Sequence, residues 1–544
     1  MDAETGCREP LLTLDAAVTR WAGLFPDRVA LNAPGNRLTY AELLAARGRV
    51  VAELRDLGVV RGDAVAFQLP NWVEALVLYH ALSALGAVVV PILPALREHD
   101  LAYMLAESQA RLFVTCSAWH GFDFESLART CCDTGTAITV LEAGGAASGG
   151  PMLRRAGFGE RAPVPPAAPH PASLGEGDGL DAVCSMIFTS GTSGRPKGVL
   201  YSHRGLAAEG REMAGLEGLD GESRLFVPPS IAHVSGICFG LYMPMAVGCG
   251  VFLLPDWSGD AALDTIWRER CDWTAGATPF LQAVVAAAEK RPETLRELRV
   301  FRCGGASVPP GLIRRARALG LDAYRSYGMS EHPTISGRTG QPDEVCMFAD
   351  GVVHPGVGLR VLDLLDPALV LPAGQPGEIA VRGPDHSLGY LRAADDASAM
   401  LDGWFLTGDI GWVSADNVIT ITGRKKDIII RKGENIAARE IEDLVGDNPA
   451  VAGVAVVGMP DAERGEMVCC VVVPRDGAVL GVADICAPLV RAGLARFKLP
   501  ERVVCVNALP CNANGKVLKT EIKRMLAGED SRPAERPALA VLPI

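Results

Sequence analysis

The apolar run Met186, Ile187, Phe188 feeds directly into Thr189, Ser190, Gly191, Thr192, Ser193, Gly194, Arg195, Pro196, Lys197 and Gly198, a strand pattern followed by a glycine and hydroxyl loop with a lysine. Such a loop suits a polyphosphate. Glycines let backbone N–H groups converge on oxyanions, hydroxyls add donors, and Lys197 supplies a point charge. It is not a Walker A loop, which needs Gly-Lys followed by Ser or Thr, whereas Arg195 and Pro196 here separate Gly194 from Lys197. An ordinary Gly/Ser turn shares this composition, so the order of motifs along the rest of the chain decides.

Four further segments follow: Tyr327, Gly328, Met329, Ser330, Glu331; then Gly403, Trp404, Phe405, Leu406, Thr407, Gly408, Asp409; then Gly423, Arg424, Lys425, Lys426, Asp427; and last Asn514, Gly515, Lys516. In this order, and with weaker echoes at Leu38–Leu43 and at Cys303, Gly304, Gly305, Ala306, the chain resembles the adenylate-forming superfamily of acyl-CoA synthetases, luciferases and peptide-synthetase adenylation domains. Within it the resemblance is nearest to AMP-forming acyl-CoA ligases. It implies a two-step reaction: a carboxylate attacks the α-phosphate of ATP to give acyl-adenylate and pyrophosphate, and a thiol, usually of coenzyme A, then displaces AMP. Both partners in the first step are anionic, so catalysis there is largely positioning and charge neutralisation.

The same resemblance assigns roles. Thr189 to Gly194 and Lys197 would cradle the β- and γ-phosphates, with Ser330, where the family more often has Thr, adding a hydroxyl beside Met329. Glu331 would bind the Mg²⁺ that neutralises them, a lone carboxylate among phosphate oxygens and waters being a normal magnesium shell. Asp409 looks like the acid that accepts from the two ribose hydroxyls, and Arg424 would also contact the nucleotide. Gly304, Gly305 and Ala306 with Ser326, Tyr327 and Gly328 resemble the adenine wall, where small residues permit close backbone approach. Lys516 would be the catalytic lysine of the first step, bridging carboxylate and α-phosphate. Lys426 falls at the family's hinge. Rotation of the small domain about it would exchange Lys516 for a loop in which Lys432 and Gly433 match positions that contact coenzyme A. Ile430 departs from the pattern, standing where coumarate-type ligases carry a nucleotide-contacting lysine. His233, Val234, Gly304 and Gly305 would border the acyl pocket. Amino-acid-activating relatives place an aspartate near position 234, so valine there argues against an α-amino acid and for an uncharged aliphatic, alicyclic or aryl carboxylate.

The elements that must position these groups are legible as well. A chain of 544 residues exceeds one ordinary core. From about residue 38, helical patterns alternate with short apolar runs, the signature of doubly wound α/β sheets. One such unit runs from a helix ending near Leu85, through Gly86, to a buried strand from Ala87 to Val90. The stretch 142–181, dense in Gly, Ala and Pro, reads as a surface loop. Past Asp350, short strands and many turns suggest a small β-barrel-like subdomain. After Arg424 comes an α+β stretch with helices at 439–445 and 482–493 and strands at 451–458 and 467–473. The expected division is therefore a large N-terminal domain, 1–425, a smaller mobile C-terminal domain, 426–526, and a tail, 527–544.

Charge and cysteines narrow the setting. With 52 basic and 64 acidic residues, net −12, the field repels nucleic-acid phosphates, so no nucleic-acid partner is expected. The 15 cysteines form no C-x-x-C, and the N-terminus has no basic and apolar leader, which together point to the cytoplasm. Two uncharged stretches, 75–96 and 234–254, are broken by Gly and Pro and read as buried core, not membrane spans. The expected partners are a small-molecule carboxylate, ATP and coenzyme A, with a carrier protein as the other acyl acceptor and monomer or homodimer left open. Lys516→Ala is predicted to lose adenylation by orders of magnitude while retaining thioester formation from supplied acyl-adenylate. Equal loss in the two half-reactions, measured separately, would contradict the assignment.

Overall fold

The computed structural model describes residues 10–528 apart from 134, 144–145, 147–148, 160–178, 190–194, 339–342, 433, 462, 476–477, 479 and 512–516. Two large sheets carry the N-terminal part. In the first, strands Asp322–Arg325, Val300–Cys303, Trp273–Gly276, Arg224–Phe226, Gly250–Phe252 and Val29–Ala33 lie side by side in parallel, and Asn36–Thr39 closes one edge antiparallel. In the second, Val183–Thr189, Val88–Ile92, Ala64–Gln68, Leu112–Thr115 and Ala137–Leu141 form the parallel centre. Its outer strands are antiparallel: Lys197–Ser202 and Gly389–Tyr390 on one side, Leu153–Phe158 on the other.

Local chemistry starts and stops the elements. Thr39 begins helix Tyr40–Asp56 with a reciprocal cap: its Oγ1 accepts from Glu42 N at 3.3 Å, and Glu42 Oε2 accepts from Thr39 N at 2.8 Å. Helix Val73–Leu85 is apolar on nearly every side because it is buried between layers, and it stops at Gly86 in the left-handed region, φ 71°. Among the described residues no helix is long and apolar enough to cross a membrane.

The stretch 142–181 departs from the expected loop. Leu153–Phe158 is a strand, pairing with Ala137–Leu141 across a register irregularity. Its half-exposed edge position and its Arg154, Arg155 and Gly157 conceal the alternation that marks a strand. Residues 160–178 lie outside those described.

A third sheet is antiparallel: Gly358–Leu362, Gly377–Arg382, Trp404–Val413 and Met400–Leu401, with Ile419–Arg424 also pairing with Trp404–Val413. A fourth follows from Ile428, built of Glu434–Ala437, Ile428–Arg431, Gly465–Pro474 and Val451–Asp461, with Arg502–Cys505 parallel to Gly465–Pro474. Helices Ala438–Gly446 and Val482–Arg491 cover it through Ile441, Val445, Ile485 and Leu489. The architecture is the large N-terminal and small C-terminal α/β arrangement expected from the sequence.

One contact in the core has a measurable consequence. Helix His203–Leu216 lies so close to the single π-helical turn Cys238–Tyr242 that a Cβ on Gly210 would sit 2.6 Å from the Tyr242 carbonyl carbon, while one on Gly215 would meet nothing within 4 Å. Gly210→Ala is expected to destabilise the chain by about 1–3 kcal/mol through overpacking. Gly215→Ala is expected to be neutral or to stabilise by up to about 1 kcal/mol, both read as midpoint shifts in chemical denaturation.

Candidate active site

Parallel strands Val300–Cys303 and Asp322–Arg325 end side by side, at the sheet edge where α/β folds collect their ligands. The first releases Gly304, Gly305 and Ala306, and the second releases Ser326, Tyr327 and Gly328. The two loops approach closely enough that a Cβ on Gly304 would lie 2.5 Å from Ser326 Oγ, and the second loop folds back on itself so that one on Gly328 would lie 2.1 Å from Pro333 O. Glycine at both positions is therefore steric necessity. The third sheet meets these loops through strand Trp404–Val413, in which Asp409 faces Arg424 across the ladder.

Asp409 is 3% exposed, and each of its oxygens has a partner. Its Oδ2 accepts from Tyr327 Oη at 2.7 Å, and Arg424 Nε lies 2.9 Å from its Oδ1. Burial, and then the charge of Asp409, push the Tyr327 phenol well above its ordinary pKa, so the phenol stays protonated and donates. Around them opens a cleft of about 1370 Å³. Gly305, Ala306, Ser326, Tyr327 and Gly328 line it with Asp409, Arg424 and Lys426, and so do Val517, Leu518, Lys519 and Thr520. Burial lowers the pKa of the Lys426 ammonium.

A second cluster forms where the loop strand returns. Thr189 and Lys197 are register partners at the mouth of their hairpin. Lys197 Nζ stands 3.1 Å from Asp395 Oδ1 and 4.8 Å from the centre of the Tyr390 ring. Tyr390 Oη in turn donates to Glu331 Oε1 at 2.5 Å. Glu331 is 9% exposed, and its loop is fixed by Ser387 N donating to Glu331 O at 2.9 Å and by Tyr201 Oη donating to Ser330 O. Among the described residues no three His, Cys, Asp or Glu converge on one point. Glu331, a hard oxygen donor with one carboxylate oxygen held by Tyr390, fits a hard cation shared with phosphate oxygens.

Tyr390, Asp395 and Tyr201 were not among the residues marked by sequence. Each acts on its neighbours through a contact made across the fold, and no local spacing announces it. Ser190, Gly191, Thr192, Ser193, Gly194, Gly433 and Lys516 lie outside the described residues. The segment just after Lys516, Val517 to Thr520, borders the cleft.

Two expected groups stand apart from the cleft lining. His233 leads into the short helix Val234–Ile237, with Val234 buried at 7% exposure. Asn71 holds this segment, donating from Nδ2 to Pro229 O at 2.9 Å and accepting at Oδ1 from Ile231 N at 3.1 Å. Lys432 occupies a left-handed conformation, φ 50°, at a turn tip, where its Nζ pairs with Glu463 at 3.0 Å. Neither Lys432 nor Ile430 is among the residues lining the cleft, and Ile430 is exposed.

With this geometry in view, comparison with known proteins gives the class. Residues 18–391 match the AMP-binding enzyme family and residues 440–516 match the AMP-binding enzyme C-terminal domain, so the chain belongs to the AMP-binding, adenylate-forming enzymes. It is 31% identical to the medium-chain fatty-acid–CoA ligase of Escherichia coli over 92% of this chain and 88% of that one. It is 33% identical to the salicyl-AMP ligase/salicyl-S-ArCP synthetase of Mycobacterium tuberculosis over 94% and 91%. Among solved structures, ATP-bound MatB from Rhodopseudomonas palustris superposes with a TM-score of 0.79 at 30% identity, covering 93% of this chain and 98% of MatB.

Asn71→Ala removes the bonds that hold the 228–231 segment. It is expected to cost about 1–3 kcal/mol and to speed hydrogen exchange at Ile231 N selectively over the strands of the first sheet.

Proposed function

We propose that this chain is an AMP-forming carboxylic acid:coenzyme A ligase. One observation carries the reading. Asp409, held by Tyr327 and Arg424, lines a cleft that the residues immediately following Lys516 also line. A nucleotide whose ribose hydroxyls donate to Asp409 would lay its adenine along Gly304 to Ala306 and Tyr327. Its phosphates would then run toward Thr189 and Lys197.

In the first step a carboxylate oxygen of the substrate forms a bond to the α-phosphorus, and the bond to the bridging oxygen of pyrophosphate breaks. Lys516 would neutralise charge at the α-phosphate, and Lys197 at the leaving pyrophosphate. Mg²⁺, held by Glu331, would supply further neutralisation of the β- and γ-phosphates. Tyr390 orients Glu331, because an O–H donating at 2.5 Å fixes one carboxylate oxygen. In the second step a thiolate sulfur attacks the acyl carbon, and AMP leaves with both electrons of the acyl–oxygen bond.

The acid is uncharged beyond its carboxylate. Val234 offers no partner for a substrate ammonium, and its buried setting favours an aliphatic, alicyclic or aryl group. A reducing cytoplasm suits the free cysteines among the described residues. The second reading is transfer to a carrier-protein phosphopantetheine thiol, favoured by the likeness to the mycobacterial salicyl-AMP ligase/salicyl-S-ArCP synthetase.

Pyrophosphate release from Mg-ATP across fatty, alicyclic, aryl and amino acids, with and without coenzyme A, is expected to show coenzyme-A-dependent turnover with one uncharged class. Release that coenzyme A does not accelerate would instead support carrier loading. With an accepted acid, Asp409→Asn is expected to raise the KM for ATP by about tenfold or more through loss of a charge-assisted acceptor. Glu331→Gln is expected to shift the Mg²⁺ titration to higher concentration, and an unmoved curve would remove Glu331 from the metal role.

A further inference from the structure

Helix Ala438–Gly446 carries Arg439 and Asp443 four residues apart, and Asp447 follows just past its end. At that spacing the three share one face. Each meets a residue from the adenine side of the cleft. Arg439 Nη2 donates to Asp350 Oδ1 at 3.0 Å, Ser307 Oγ donates to Asp443 Oδ1 at 2.8 Å, and Gly311 N donates to Asp447 Oδ1 at 3.1 Å.

These partners adjoin the site. Ser307 follows Gly304, Gly305 and Ala306 in the chain. Asp350 also accepts from both Nε and Nη2 of Arg325, at 3.1 and 3.0 Å, and Arg325 immediately precedes Ser326 and Tyr327. The central pair is enclosed, with side-chain exposures of 14% for Arg439 and 5% for Asp350. An ion pair so shielded is worth far more to orientation than an exposed one, because opening it leaves a charge unpaired in a poorly solvated place.

The same helix reaches the catalytic segment. Lys519 Nζ lies 2.8 Å from Glu442 Oε1, and that oxygen also accepts from Val456 N at 2.7 Å. The helix therefore joins the adenine loops on one face to the stretch three residues beyond Lys516 through its neighbouring side chain. Lys432, in this arrangement, pairs with Glu463 and is not among the cleft-lining residues.

We infer that Arg439, Asp443 and Asp447 form a latch that sets the small domain for adenylation, with Arg439 as its principal positioning residue. The inference rests on the ligase reading above. A closed latch holds the residues that follow Lys516, Val517 to Thr520, against the cleft, and the three contacts must part before the Lys432 turn can take their place. The latch orders the two half-reactions.

Arg439→Ala and Asp443→Asn test it in two single-turnover assays, pyrophosphate release from ATP plus an accepted acid and thioester formation from supplied acyl-adenylate plus coenzyme A. Adenylation is expected to slow by about tenfold or more, with the thioester step within about twofold of the parent chain. Arg439→Lys, which keeps the charge but loses the planar fork, is expected to recover part of the loss. Unchanged adenylation, or equal falls in both steps, overturns the latch. A readout independent of turnover is hydrogen exchange in Arg439→Ala: amides of 307–311 and 438–447 are expected to exchange about tenfold faster while those of Val300–Cys303 stay as in the parent. Unchanged exchange at Gly311 also overturns the latch. If the parent releases no pyrophosphate with any acid, the ligase reading fails and the exchange result still decides the latch.

Discussion

A carboxylate taken out of water has to be matched by donors that cannot drift, and Asp350 is matched by donors from three separate parts of the chain. Arg325 reaches it from the last strand of the first sheet, the Ile421 amide from the antiparallel sheet at 2.8 Å, and Arg439 from the helix of the small domain. Burial alone would raise the Asp350 pKa; the guanidiniums of Arg439 and Arg325 and the Ile421 amide outweigh it and hold the carboxyl below its ordinary range, so the group is ionised. Each donor is followed closely by cleft residues: Ser326 and Tyr327, then Gly423 and Arg424, then Asp443. One buried charge thereby ties together three of the segments that line the cleft.

The walls differ in kind. Strand ends and crowded glycines at Gly304 and Gly328 leave little freedom, and Tyr327 and Arg424 fix Asp409. The facing wall belongs to a smaller unit attached through polar contacts. A reaction that joins two anions and then admits a thiol asks for such a pairing: one surface that does not move, to place the nucleotide, and one that presents different groups to it.

Much of this was legible before any coordinates, and the limits have physical causes. Helix Val73–Leu85 and its stop at Gly86 follow from an apolar run too long for one strand and from a glycine free to take φ 71°. The helix expected over 439–445 is observed as Ala438–Gly446. The order of the glycine loop, Tyr327 to Glu331, Asp409 and Arg424 pointed to one nucleotide site; the fold gathers Tyr327, Asp409 and Arg424 in one cluster and Lys197 and Glu331, through Tyr390, in another. Strand Leu153–Phe158 was hidden because an exposed edge strand does not need alternation. Tyr390 stands on a strand of two residues with no pattern around it, yet it bridges Lys197 and Glu331. The Asp350 cluster was invisible for a related reason: its two arginines lie 25 and 89 positions away, a separation that only tertiary packing closes.

The most direct test of the account is a crystal structure of the chain with a non-hydrolysable acyl-adenylate analogue. The account predicts both ribose hydroxyls on Asp409, adenine between Gly304 to Ala306 and Tyr327, and the Asp350–Arg439 pair closed. A nucleotide seated away from Asp409, with Tyr327 and Arg424 still its sole partners, would contradict it.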